Sequence, residues 1–190
     1  MIIAVKDKDR VLIGFTNVDY YGGALCEEDY ADAENVAIRF ADDGSVLACA
    51  DMRRESDVLL YDDRFVNGFE STAKDILRGR IPYMKALLEE SGCPLEDGHW
   101  KNALVICNNE RIFVVDSHFG FLEAEDFACY GGRVEVVRSV LDDTAGLPAE
   151  ERILKAVNFC KELFKESFFP LVIADTKSKE WKVIREGGSV

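Results

Sequence analysis

The chain has 190 residues, 48% of them hydrophobic and 31% charged, which is enough apolar material for a sizeable core and excludes a disordered or fibrous chain. Its 23 basic and 36 acidic side chains give a formal charge of −13, so neither nucleic acid nor an anionic membrane surface is expected as a partner. Apolar runs stay short of the ~18 residues of a membrane span. The six cysteines show no C-x-x-C spacing, and Cys49, Cys107, Cys129 and Cys160 lie in apolar runs where a free thiol behaves as a small hydrophobe. These features predict one domain over 1–190, in a reduced, cytoplasmic protein, with no cofactor and no metal cluster.

Met1 to Asn17 reads as a β-hairpin, with two apolar runs flanking the charged turn Lys6-Asp7-Lys8-Asp9-Arg10. Val18 to Asn35 reads as a long loop, or a loop plus an edge segment. Tyr20-Tyr21-Gly22-Gly23 looks like a turn, and Cys26-Glu27-Glu28-Asp29 is an acidic run. That run lacks the glycine-anchored spacing of a calcium loop and reads as a solvated face rather than a cation site. A second hairpin follows, Asn35 to Phe40 and Ser45 to Ala50, around the Asp42-Asp43-Gly44 turn.

The period then changes. Ser71 to Glu90 places Ala73, Ile76, Leu77, Ile81, Met84, Leu87 and Leu88 at steps of three and four, which predicts a helix with Ser71 as N-cap. Pro82 should kink or divide it, and Ser91-Gly92 with Pro94 should end it. Gly98-His99-Trp100-Lys101 is a connector. Ala103 to Cys107 and Arg111 to Val115 read as strands, and Phe121 to Tyr130 as one more. Gly131-Gly132 breaks the chain before a short helix carrying Val134, Val137, Val140 and Leu141. Pro148 suits a first helical turn, with Glu150 and Glu151 favourable at that end of the dipole. That helix runs through Ile153, Val157, Cys160 and Phe164. Pro170 to Asp175 and Trp181 to Ile184 form the closing strands around Lys177-Ser178-Lys179. The order ββββ-αα-βββ-αα-ββ, with strands and helices in blocks, predicts an α+β fold in which two antiparallel sheets pack face to face under outer helices.

Few residues point to chemistry by themselves. Asp116-Ser117-His118 has the residue types of a triad, but neighbours in sequence seldom converge as one, so a surface turn is expected. Asp51, Arg53, Arg54 and Glu55 form a charge cluster that either starts a helix or offers an arginine fork to a carboxylate. Phe159, Phe164, Phe168 and Phe169 read as core, with part of the segment available for an oligomer contact.

The opening hairpin Met1-Ile2-Ile3-Ala4-Val5-Lys6 with Arg10-Val11-Leu12-Ile13-Gly14, the strand Val46-Leu47-Ala48-Cys49-Ala50, the turn Phe127-Ala128-Cys129-Tyr130-Gly131-Gly132 and the start Leu147-Pro148-Ala149-Glu150-Glu151 occur in an order that resembles the proteasome β subunits and HslV peptidases. These belong to the N-terminal nucleophile (Ntn) hydrolase superfamily, and the resemblance spans nearly the whole chain. It implies a four-layer αββα sandwich, ring-type or other homo-oligomeric assembly through helices, and a peptide or small-molecule ligand in a cleft below the first hairpin. It also implies an N-terminal Thr that attacks a peptide carbonyl, with its own amine as base. The chain departs from that pattern at every functional position. Aligning Ala4-Val5-Lys6 puts Met1 one place beyond that Thr, and loss of Met1 would expose Ile2. The supporting Asp falls at Thr16, the supporting Lys falls near Val36 to Ile38 with Arg39 the nearest cation, and the turn serine falls at Tyr130. Cleavage after Leu25 would expose Cys26 but remove the hairpin that the fold needs. The resulting expectation is a non-catalytic protein of this fold that assembles or binds a ligand, with Thr16, Asp51, Arg53 and Tyr130 as cleft residues. The alternative is an amide or peptide hydrolase whose nucleophile has moved to Thr16, Cys49 or Cys129.

Overall fold

A computed structural model describes residues 1–16, 19–21, 24–26, 38–50, 53–93 and 95–185, with the backbone alone described for 19–21, 24–26 and 53. The first hairpin forms as the pattern requires: β1 (Ile2–Asp7) pairs antiparallel with β2 (Arg10–Thr16), Ile2 opposite Phe15. β3 (Asp19–Tyr21) and β4 (Ala24–Cys26) pair as a small separate hairpin. Tyr20 and Tyr21 are therefore strand residues rather than the turn that the sequence suggests. The acidic run Glu27 to Asp29 lies outside the described residues.

β5 (Ile38–Phe40) and β6 (Val46–Ala50) form the second hairpin. Next come α1 (Arg53–Leu60), α2 (Asp63–Asn67) and a helix of three parts: α3 (Ala73–Asp75), a π-helical turn (Ile76–Arg80) and α4 (Ile81–Glu90). The cap is Thr72, one residue later than expected. Its hydroxyl accepts from Asp75 N at 3.2 Å, while the Ser71 hydroxyl donates to Ser45 Oγ at 2.7 Å. Pro82 does not break the helix. The wider turn before it, closed by Ile81 N–H on Ile76 O, admits a residue without an amide donor, as π-bulges do. Gly92, at φ +70°, ends α4: its amide donates to Glu89 O and that of Cys93 to Leu88 O, a Schellman closure.

β7 (Ala103–Cys107) and β8 (Ile112–Val115) continue the second sheet. The segment 121–130, expected as one strand, forms two. β9 (Phe121–Ala124) pairs with β8, whereas β10 (Phe127–Tyr130) pairs with β1 in the other sheet. The corner is fixed by Asp126, whose carbonyl accepts from Lys6 N at 2.9 Å and whose carboxylate takes both ends of the Arg152 fork at 3.1 and 2.8 Å. α5 (Val134–Asp143), α6 (Ala149–Phe164), β11 (Leu171–Asp175) and β12 (Glu180–Ile184) complete the chain.

The two five-stranded sheets have orders β10-β1-β2-β11-β12 and β5-β6-β7-β8-β9. Alternation along each strand sorts the side chains into three buried layers. Ile2, Ala4, Ile13 and Phe15 meet Val46, Ala48, Val105 and Val114 between the sheets. Leu47, Cys49, Ile106 and Phe113 pack under α1 to α4 with Leu59, Ile76 and Met84. Ile3, Val5, Leu12 and Ile173 pack under α5 and α6 with Val137, Leu141, Ile153 and Val157. Each Val, Leu, Ile, Phe or Met among them contributes about 1.5–3 kcal/mol on burial. The result is the four-layer αββα sandwich. Burial on both faces of each sheet explains why the strands read as continuous apolar runs. Gly14 lets α6 approach β2: a Cβ there would lie 2.6 Å from Ile153 Cγ2. Phe159 is not core. It is 48% exposed on α6 one turn before Leu163, which is 53% exposed, while Phe168 is buried.

Candidate functional site

The tip of the first hairpin is a closed backbone ladder. The Met1 amine donates to Thr16 O at 2.8 Å, and Thr16 N donates to Met1 O at 2.9 Å. Ile2 and Ile3 are buried on opposite faces of β1. Thr16 is 2% exposed, and alternation along β2 puts it with Leu12 and Gly14 on the face that meets the helices. Tyr130, opposite Ile2, packs on the other face, between the sheets. Thr16 and Tyr130 are thus near the same end of the sheet but not on one surface. Arg53 is the first residue of α1, and Asp51 lies outside the described residues.

Two of the three thiol or hydroxyl positions considered for a moved nucleophile are enclosed. Cys49 is 1% exposed, and burial pushes its thiol well above the ordinary range. Thr16 faces packed apolar side chains. Cys129 is also buried, at 5% exposure, but it borders open space: its Sγ sits 3.8 Å from Val134 O and near the Arg138 guanidinium, on the wall of a cleft of about 630 Å³. Burial still raises the Cys129 thiol, with Arg138 opposing that shift. The Tyr130 phenol is also raised, by burial first and then by the Asp116 charge. Sequence reading missed Arg138 because it stands on the polar side of an amphipathic helix, where an arginine looks like solvation.

The Asp116-Ser117-His118 group is a turn. The Asp116 carboxylate accepts from the amides of His118 and Gly120 at 2.8 Å each, so it is not aimed at the imidazole. Ser117 Oγ lies 3.1 Å from His118 Nδ1, and the His118 ring touches His99 at 4.0 Å between centroids. Trp100 beside it is buried and donates Nε1–H to Asp116 O at 2.7 Å, tying the connector to this turn. Near α1, Arg54 reaches Ser91 O at 3.3 Å, and burial raises the Glu55 carboxyl. No group of three or more His, Cys, Asp or Glu among the described residues is placed to hold a metal ion. No described helix is long and apolar enough to cross a membrane.

No family model matches the chain, and no curated protein matches it in sequence. Solved structures do match. Thiobacillus denitrificans BPH in complex with epoxomicin superimposes with a TM-score of 0.75 at 19% identity, over 98% of this chain and 99% of that one. Eukaryotic HslV from Trypanosoma brucei gives 0.67 at 15% identity, over 92% and 97%. Anbu, the ancestral β-subunit from Yersinia bercovieri, gives 0.68 at 11% identity, over 98% and 88%. The chain has the proteasome-like Ntn-hydrolase fold. In that fold the end of β1 is where the resemblance drawn from sequence puts a nucleophile, and here it presents Met1 and two buried isoleucines. Within the proteasome-like sandwich, one open space beside this hairpin follows the outer edge of β10, and another is lined by Arg10 and Leu12 of β2 with Ile173 and Asp175 of β11.

Proposed function

We propose that this is a proteasome-like protein that works by assembly or by ligand or peptide binding, not by peptide hydrolysis, in a reducing, cytoplasmic setting. The observation that supports this most is the hairpin tip. β1 opens with Met1-Ile2-Ile3, its amine is held by Thr16 O, and Thr16 stands where the resembled enzymes carry an Asp. A nucleophilic mechanism needs a hydroxyl or thiol with a base in hydrogen-bond reach. Fold similarity alone does not supply one. A panel of fluorogenic peptides should show no turnover above buffer. Turnover that disappears on a single Ser, Thr or Cys substitution would overturn the reading.

The second reading, a hydrolase with a moved nucleophile, keeps one specific support, the placement of Cys129 in the cleft beside Arg138. In that case Cys129→Ala would abolish turnover and Cys49→Ala would not.

The assembly part rests on α6. Phe159 and Leu163 are four residues apart and both about half exposed, so they form one apolar stripe on an otherwise charged helix surface. Light scattering is expected to show a homo-oligomer that Phe159→Glu with Leu163→Glu converts to monomer without loss of helical content. A wild-type monomer would remove assembly and leave the binding domain.

A further inference from the structure

We propose that the cleft along the outer edge of β10 binds a small amphipathic carboxylate, an acyl or aryl chain with one carboxylate, its chain against Val114, Leu122, Ala124 and Phe127 and its carboxylate on Arg138. The inference does not depend on whether the protein hydrolyses peptides.

The cleft exists because β9 and β10 are the edge strands of two different sheets. The chain leaves the second sheet at Ala124, turns at Asp126 and joins the first sheet at Phe127, so the sandwich stays open along this side. The volume, about 630 Å³, lies in the usual range for small-molecule sites. Its walls are apolar, and Leu122, 58% exposed, lies on its rim. The polar groups gather toward the other end of β10. Cys129 and Tyr130 lie there, and Arg138 projects from the second turn of α5 within reach of the Cys129 thiol. Its charge acts on both of those side chains.

Several other arginines are taken up by carboxylates. Arg152 is fixed by Asp126, Arg133 by Glu166 and Arg111 by Glu123. Among the described residues no carboxylate lies within ion-pair distance of Arg138, so its planar fork remains available to a carboxylate ligand. The acidic surroundings narrow the ligand further. Glu125 lines the cleft, and Glu135 and Asp142 act on Cys129 from α5. A phosphate or dicarboxylate would bring a second negative charge against these groups, whereas a single carboxylate has its one charge paired with Arg138, and the apolar wall supplies the rest of the affinity through burial.

The test uses the full chain with octanoate as probe and octanamide as its neutral counterpart. Calorimetry should show one saturable octanoate site per chain with a Kd below 1 mM at low salt, on the order of tenfold tighter than octanamide, the ordinary scale of one charge-assisted contact. Arg138→Gln should remove that preference, and Arg138→Lys should restore part of it. Ala124→Trp, at a partly exposed edge position, should fill the cleft and abolish binding of both probes. Octanoate should also slow alkylation of Cys129 in the wild-type protein, read peptide by peptide by mass spectrometry, but not in Arg138→Gln. Equal affinity for the two probes, an unchanged preference in Arg138→Gln, or undiminished binding in Ala124→Trp would each overturn the proposal.

Discussion

Thr16→Asp is expected to destabilise the fold by about 3–5 kcal/mol, the usual cost of an uncompensated buried charge. The site is 2% exposed and faces the layer where Leu12, Leu171 and Ile153 pack. The cations nearest that face are already engaged: Arg10, on the same face of β2, pairs with Asp7 and Asp175, and the Met1 ammonium is held by Thr16 O. Thr16→Val, which replaces the hydroxyl with a methyl group, should cost far less, about 1 kcal/mol, the scale of one hydrogen-bonding group. The deficit of Thr16→Asp should depend on pH in a defined direction. Burial raises a carboxyl above its unfolded value of about 3.9, so the neutral form fits the fold and the ionised form does not. The gap from wild type should be small below about pH 4 and widen as pH rises. Urea titrations at pH 4 and pH 7 would measure both. A variant as stable as wild type at pH 7 would show that this tip still tolerates the enzymes' carboxylate.

Phe113→Ala should cost about 3–5 kcal/mol, since a fully buried ring leaves a cavity that its surroundings only partly fill. Phe113 stacks on Phe121 at 5.6 Å between centroids and sits under the α1 to α4 layer. Leu122, the next residue after Phe121, points away and is 58% exposed, so Leu122→Ser should change stability by no more than about 0.5 kcal/mol. The contrast between neighbours in space tests which face of β8 and β9 carries the core. Comparable losses in the two variants would mean that this sheet packs differently.

Much of this architecture was legible in the residues. Alternation and turn chemistry located both hairpins, because Lys6 to Arg10 and Asp42-Asp43-Gly44 leave the chain no other local solution. The helical steps from Ala73 to Leu88 and from Ile153 to Phe164 did the same for the longer helices. Three features were hidden for physical reasons. The division of 121–130 between two sheets depends on Asp126 meeting Arg152, a contact 26 residues apart that no local pattern records. The survival of the helix through Pro82 depends on a π-turn, which widens the backbone so that the buried Ile76 and Ile81 stand five residues apart, a step that the three-and-four pattern does not record. Exposure of Phe159 was missed because an aromatic residue in an amphipathic helix reads as core until the orientation of its neighbours is known.

The candidate site divides along similar lines. The substitutions at the hairpin tip could be read directly, since they concern single residues at positions that the resemblance specifies. The cleft could not. It arises where two sheet edges diverge, and Arg138 reaches it from a third element. Of the residues named from sequence, Tyr130 lines that cleft, whereas Thr16 is enclosed on the opposite face of the sheet. Arg80 shows how far burial alone can mislead. It is fully enclosed, with its guanidinium donating to Phe69 O at 2.6 Å and pushed down to about 10 by burial, and it does not line the cleft beside β10. It reads as part of the α1 to α4 packing.

The central claim, that the first hairpin no longer presents a nucleophile, is tested most directly by intact-mass spectrometry after incubation with epoxomicin, the compound held by the Thiobacillus denitrificans structure of the same fold. A single species at the mass of the untreated chain is expected. A stoichiometric adduct mapped by fragmentation to the first residues of β1 would contradict it.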